Sequence, residues 1–489
     1  MSTKKAHLPF TALFTAILTV GTPSRAAPSS PVARDEPTRL LVLSDIEADP
    51  DDTQSLVRLF LYANELELQG LVATTSTWKR SNIAPGSIHA VIDAYAKIHE
   101  NLLLHDPKYP AASVLHALVK SGQPAYGMAA VGDGEDSEGS DWIIRVLEQD
   151  DDRPLWISVW GGANTLAQAL HKLRTTRPRA ELDRLVRKLR VYTISDQDDS
   201  GPWMRREFPN LFYIVSPGGD YGTATWNAIN AVIDGIDNTT ISNPWLAANI
   251  QQGHGPLGAA YPDVSWGMEG DTPSFLGLIP NGLNAPEHPD WGGWGGRYKL
   301  HQPVIPIEKE STFIGGVPIP QESRPIWTNA VDVYLPPVPG PYGRSIKPGA
   351  VRFESAGTSL WRWRDDFQHD FAARIDWTVK PYAAANHPPV ARLSHPNALT
   401  VKSGEGFGLD ARPSHDPDGD SLSFYWFTYR EAGSSDAIVT FDGANNSAAI
   451  WAKAPKVDHP ETVHVILRVT DKGTPALARY QRVIVTVTP

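Results

Sequence analysis

Cysteine is absent from the chain. No disulfide and no thiol chemistry is therefore available, even in an oxidising compartment. Positive charge is scarce: 44 Lys and Arg stand against 55 Asp and Glu, a formal net charge of -11. That balance argues against nucleic acid as a partner. Long apolar runs are missing, with one exception at the N-terminus. Residues 8–20 are apolar, follow Lys4 and Lys5, and precede small residues at Ser24-Arg25-Ala26. The run is too short to span a bilayer with its flanks, and has the form of an export signal. Residues 1–26 are expected to be a signal peptide, the protein to be secreted, and no segment to lie in a membrane. Asn238-Thr-Thr and Asn445-Asn-Ser are N-glycosylation sequons, meaningful only in a eukaryotic host.

What is present describes an ordinary soluble chain, with 41% hydrophobic and 20% charged residues over 489 positions. That length suggests two or three domains. Residues 27–38, rich in Pro, Ser and Ala, read as a flexible lead-in. From 39 onward, apolar runs alternate with helical periods: strands near 40–43, 66–75, 155–160, 189–195 and 211–215, helices near 56–63, 88–104, 166–173 and 361–379. Alternation of this kind predicts an α/β domain with a mostly parallel sheet, running over 39–380. Within it, residues 240–340 are rich in Gly, Pro, Asn and Trp and read as an irregular insertion. Residues 381–389 read as a linker. Residues 390–489 hold short alternating runs at the spacing of a β-sandwich, with Tyr425, Trp426 and Trp451 expected in its core.

One stretch gathers the acids: Asp45-Ile-Glu47-Ala-Asp49-Pro-Asp51-Asp52 places five carboxylates in eight residues, between a buried strand and a helical period. Open α/β sheets place ligands at such turns. Close carboxylates raise each other's pKa, and a hard divalent cation such as Ca²⁺ relieves the repulsion. The alternative is a solvated acidic loop at a helix N-terminus. The acid-rich stretch 133–141 reads as a surface loop.

The acidic turn and later segments together resemble the nucleoside hydrolases, whose opening strand ends in an Asp-x-Asp-Pro-Gly-x-Asp-Asp pattern. That resemblance implies a Rossmann-like fold and a bound Ca²⁺. It implies Asp45, Glu47 and Asp52 as metal ligands, with Asp51 touching a sugar hydroxyl. Glu47 departs from the family's Asp, so Glu47 and Asp49 are both candidates for the water-activating base. Trp160-Gly161-Gly162-Ala-Asn164 resembles the strand end that gives Ca²⁺ a backbone carbonyl, here from Trp160, with Asn164 beside the substrate. His369-Asp370 resembles a late His-Asp pair, which implies Asp370 as the closing ligand and His369 facing the leaving group.

A closer likeness is to a cellulose-binding, nucleoside-hydrolase-like subgroup. Its phrases are Asp196-Gln197-Asp198-Asp199, Glu269-Gly-Asp271-Thr-Pro, and Asp290-Trp291-Gly-Gly-Trp294-Gly-Gly-Arg-Tyr298, with a C-terminal Ig-like sandwich after an Asn-His-Pro-Pro linker. Asp196, Gln197, Asp198, Glu269, Asp271, Trp291 and Trp294 are thereby candidate substrate-binding residues. The sandwich segment His415-Asp-Pro-Asp418-Gly-Asp420 resembles a turn of secreted Ig-like modules and reads as a hairpin turn. These readings predict a secreted, Ca²⁺-dependent glycoside hydrolase acting on a plant cell-wall polysaccharide or oligosaccharide. A non-catalytic cellulose or carbohydrate binder is the alternative, and a secreted nucleosidase the third. No oligomeric interface is legible.

Overall fold

Leu40, Leu41, Val42 and Leu43 are fully buried and alternate between two apolar clusters. Both faces of this strand are covered, as a parallel sheet requires. It is β1 (Thr38–Ser44). The same sheet takes in β2 (Leu66–Ala73), β3 (Val119–Ser121), β4 (Leu155–Val159), β5 (Leu189–Thr193), β6 (Phe212–Val215), β7 (Tyr298–His301) and β8 (Ile326–Asn329). The computed structural model describes residues 36–217, 221–304, 321–340 and 343–489. The expected signal peptide and nearly all of the lead-in lie outside them.

The strand order is β3-β2-β1-β4-β5-β6-β8-β7. All pairs are parallel except β7 with β8. From β1 the chain winds outward one way through β2 and β3, then returns to β4 and winds the other way. The β1–β4 boundary is therefore the topological switch point, where such sheets open a crevice beyond their carboxyl ends. Helix α1 (Asp51–Phe60) leaves β1 at that boundary.

Two expectations change in detail. The helix expected over 88–104 is two helices, Pro85–Ala96 and His99–His105, with neither Gly nor Pro between them to announce the break. The irregular 240–340 segment contains order among its described residues. It carries short helices at Asn243–Leu246, Gly255–Ala259 and Pro273–Leu276, supplies β7 and β8, and buries Phe275, Leu276, Ile279 and Leu283.

The C-terminal region is a sandwich of two sheets. One pairs Ala398–Lys402, Ala478–Thr488, Glu461–Thr470 and Ser423–Thr428, and the other Gly406–Asp410, Ala449–Lys453 and Thr440–Asp442. Leu409, Trp426, Val465, Leu467 and Val485 fill the space between. Trp451 does not: it points outward from its strand and is 54% exposed. Its neighbour Ala452 takes the inward position, because alternate residues of a strand face opposite ways.

The sandwich is docked on the α/β layer. Arg482 is buried and donates to the carbonyls of Leu283 and Gly292 at 2.8 Å and 2.9 Å. Tyr480 donates its backbone N–H to Asn281 at 2.9 Å, and Tyr429 its hydroxyl to Asp332 at 2.6 Å. Arg468 and Tyr480 both bond to Asp366. Among the described residues no helix is long and apolar enough to cross a membrane.

Candidate functional site

The acids follow the carboxyl end of β1, beside the end of β4. Asp45 follows β1, and Asp51 and Asp52 open α1, where the helix N-terminus favours negative charge. One carboxylate oxygen from each of Asp49, Asp51 and Asp52 falls within 4.8 Å of the others. Asp45 and Asp52 are nearly fully buried, and Ser44 donates its hydroxyl to Asp52 at 2.5 Å. Gly161 stands against Asp45: a Cβ there would lie 2.5 Å from Asp45 Oδ1, so only glycine lets the strand end pass.

A fifth carboxylate arrives from far along the chain. Asp271 is 1% exposed and its charge couples to Asp51, Asp52, Asp45 and Asp49. Its Oδ2 is buried and accepts no hydrogen bond from a described residue. The turn that delivers it passes through Gly270, whose N–H donates to Asp51 Oδ2 at 3.2 Å. A Cβ on Gly270 would lie 2.7 Å from that oxygen and 3.0 Å from the Trp226 ring.

Burial and mutual repulsion set the electrostatics. Burial lifts Asp45 to about 6; a Ser76 hydrogen bond works against the rise and the Asp49 charge adds to it. Asp51, Asp52 and Asp271 are pushed well above the carboxylate range by burial first. Asp49 and Asp52 then raise Asp51, Asp45 raises Asp52, and Asp51 and Asp52 raise Asp271. Lys79 is the nearby cation, and its ammonium is held by Glu47 at 2.7 Å and the Ile46 carbonyl at 2.8 Å. A dense set of hard oxygen donors, one of them buried without a partner, has the chemistry that a calcium-like cation takes.

Aromatic rings wall one side. Trp226 meets Tyr221 edge to face, with centroids 4.8 Å apart, and donates Nε1 to Ser195 at 3.2 Å. Burial raises the Tyr221 phenol. A hydrogen bond with Trp78 opposes that rise, and the charges of Asp45, Asp51 and Asp49 reinforce it.

The profile of the cellulose-binding Sde182, nucleoside hydrolase-like domain matches residues 39–298, and that of the cellulose-binding protein Sde0182 C-terminal domain matches residues 406–487. The first covers more than half of the chain. The chain belongs to the Sde182 family. A solved structure of a nucleoside hydrolase-related hypothetical protein from Saccharophagus degradans, associated with carbohydrate metabolism, is 34% identical. It aligns over 93% of this chain and 100% of its own, with a TM-score of 0.77. The effector protein XOO4466 aligns at 12% identity over 60% of this chain and 88% of its own, with a TM-score of 0.28. The type III effector XopQ complexed with adenosine diphosphate ribose aligns at 14% over 50% and 82%, with a TM-score of 0.26. At those scores neither effector carries an argument. No match is found among curated proteins.

In this Sde182-family chain the structure redistributes the residues nominated from sequence. Asp45, Asp49, Asp51 and Asp52 converge. Trp160 extends β4 beside them, and its carbonyl accepts from Gln197 Nε2 at 2.6 Å, while Gln197 Oε1 stays buried without a partner. Glu47 does not join them. It adopts a left-handed φ of 78°, which turns its side chain out to Lys79 and to Ser87 at 2.5 Å. Those two bonds hold its carboxyl below the usual range, so it is a surface ion pair and not a ligand.

Asp370 is corrected as well. Its Oδ1 accepts from Arg479 at 2.6 Å, and its Oδ2 from Tyr62 at 2.7 Å and Arg374 at 3.1 Å, leaving its oxygens satisfied by protein. His369 lies by Trp245 and Asp365. Glu269, fully buried, is spent on Arg58 at 2.5 Å, Tyr261 and Thr272. Asp196 forms a two-pronged pair with Arg205, 2.8 Å on each prong. Asn164, also fully buried, donates to Ala125 at 2.8 Å. Asp198 holds the backbone N–H of Asn164 and Ser200; burial lifts its carboxyl to about 6 against the Ser200 bonds. Glu269, Asp196, Asn164 and Asp198 are thus engaged by neighbouring protein groups.

Trp291 and Trp294 are buried under the sandwich. Trp291 stacks on His288 at 3.9 Å, and Trp294 packs edge-on against Phe367 and Tyr480. They hold the two domains together and line no open groove. Sequence reasoning missed Tyr221, Trp226 and Lys79 as neighbours of the acids. Asp271, taken there as a substrate contact, is the acid that completes the cluster.

Proposed function

We propose that the chain is a secreted glycan-binding protein that grips a plant cell-wall polysaccharide through a calcium ion held at the β1–β4 switch point. The observation that carries this reading is Asp271: a buried carboxylate with an unpartnered oxygen, pressed against four other acids. Burying that much negative charge without a cation is costly, so the site asks for one. Asp45, Asp51, Asp52 and Asp271, with the Trp160 carbonyl, would hold it. When bound, Ca²⁺ would chelate neighbouring sugar hydroxyls and lower the pKa of a water. Trp226 and Tyr221 offer ring faces for the apolar side of a pyranose. Membership of a family described as cellulose-binding supports a β-glucan, and an export signal at 1–26 would put the encounter outside the cell.

Hydrolysis is the second reading, favoured by Asp49. This acid is half-buried beside the cluster, where it would take the proton of an attacking water in a single displacement that inverts the anomeric centre. Of the three candidate donors to the leaving oxygen, His369 lies beside Trp245, Glu269 is held in its buried ion pair, and Asp271 is counted here among the metal ligands, which is why binding ranks first. Isothermal titration of cello-oligosaccharides with Ca²⁺, and again with EDTA, tests the main reading. Binding that vanishes with EDTA supports it, and binding indifferent to EDTA overturns it. Release of reducing sugar by wild type but not by Asp49→Asn would promote the second reading.

A further inference from the structure

The acids are not the whole of the crevice. Beyond Trp226, at the carboxyl ends of β6 and β8, lies a cavity of about 470 Å³. Its walls include Asn227, Ala228, Asn329, Val331, Ser355 and Trp361. Among the described residues that line it there is no Lys, Arg, His, Asp or Glu, a lining that suits a neutral occupant. The size suits a small organic ligand.

The polar groups in it are amides with capacity to spare. Asn329 sits at the end of β8, and its Oδ1 accepts from Ser216 at 2.6 Å and from Thr225 Oγ1 at 3.0 Å. Its Nδ2 donates to no described residue, and the side chain of Asn227 makes no hydrogen bond to one. Amide donors beside an indole and small apolar walls match the hydroxyl edges and apolar faces of a pyranose ring. The single turn Trp226–Ile229 ties this cavity to the acids. It sets Trp226 against Gly270 and Asp51, and gives the cavity Asn227 and Ala228. From β1, which leads into the acids, to β8 is four strand spacings, about 19 Å at ~4.8 Å each. A short oligosaccharide spans that gap, whereas a nucleoside or a single sugar does not.

We infer that this cavity is a distal sugar subsite for the same glycan that the acids hold. The ligand then runs along the carboxyl edge of the sheet, across Trp226, and is an oligosaccharide or polysaccharide and not a nucleoside. The inference rests on the glycan reading of the acid site.

The test is calorimetric titration, in Ca²⁺, of wild type, Asn227→Ala and Val331→Trp with cellobiose and cellohexaose. Val331 is a half-exposed rim residue, so a larger side chain there fills the cavity from outside without disturbing the core. Wild type should bind cellohexaose at least about fivefold more tightly than cellobiose, roughly one added hydrogen bond. Both variants should lose that gain while keeping cellobiose affinity. Equal affinity for both sugars in wild type, or variants indistinguishable from it, would overturn the subsite and leave the acid site standing. Failure of wild type to bind either sugar would overturn both.

Discussion

Arg479 of the sandwich donates to Asp370 of the α/β domain at 2.6 Å, and each is buried by the contact. A residue pair that the chain separates by 109 positions thus fastens one domain to the other. Arg374 and Tyr62 complete the shell around the same carboxylate. Asp370→Ala should therefore destabilise the protein by about 3–5 kcal/mol, since it strands Arg479 without its partner. Calcium affinity should be unchanged, and urea unfolding with a parallel calcium titration checks both.

The same carboxylate makes an acid-stability prediction. Burial raises Asp370, but Arg479 and Arg374 outweigh it and hold it at about 2. An unfolded Asp titrates near ~3.9. A depressed pKa means the stabilisation is fully present above the unfolded value and is lost as pH falls toward the folded one. About 2.6 kcal/mol should disappear progressively as the pH falls from ~5 to ~1. In Asp370→Asn the fall over that window should be shallower; an unaltered profile would speak against the pairing.

Asp271 behaves in the opposite sense. It is repelled by Asp51, Asp52, Asp45 and Asp49. In EDTA, Asp271→Asn should melt higher than wild type, by about 1.4 kcal/mol for each pKa unit of repulsion removed. In Ca²⁺ the order should reverse, because only wild type gains from the ion. Thermal melts in the two buffers show whether the curves cross.

Glu47 and Asp49 stand two residues apart with opposite orientation. Glu47→Gln should leave sugar and calcium binding within about twofold, since a surface ion pair is worth ~1 kcal/mol or less. Should the protein hydrolyse glycans, Asp49→Asn should cost about 10²–10⁴ in rate. Rates of reducing-sugar release for the two variants separate the roles.

The tryptophans divide in the same way. Trp294→Ala should cost about 3–5 kcal/mol of stability with no loss of cello-oligosaccharide affinity. Trp226→Ala should weaken that affinity in a titration, by about 0.5–1.5 kcal/mol of ring stacking.

Much of this was legible in the sequence, and the exceptions have physical causes. The α/β order, the sandwich and the Asp45–Asp52 turn are written in local periodicity and in one dense motif. What local pattern does not carry is which distant acid arrives. Asp370 lies between His369 and Phe371 within a 13-residue helix, and Asp271 in the turn before a short one, and only the fold shows that arginines surround one and acids the other. The glycine-rich stretch around Trp291 and Trp294 resembles an exposed loop in composition, yet it is the seat of the sandwich. Trp451 lies in an alternating strand whose phase, Trp out and Ala452 in, places it on the surface.

The central claim is that a calcium ion sits among Asp45, Asp51, Asp52 and Asp271. Calorimetric titration of Ca²⁺ into EDTA-stripped, full-length wild type, Asp271→Asn and Asp370→Asn tests it most directly. The account predicts one site per chain in wild type and in Asp370→Asn, and none in Asp271→Asn. No calcium binding by wild type, or binding that survives in Asp271→Asn and fails in Asp370→Asn, would contradict it.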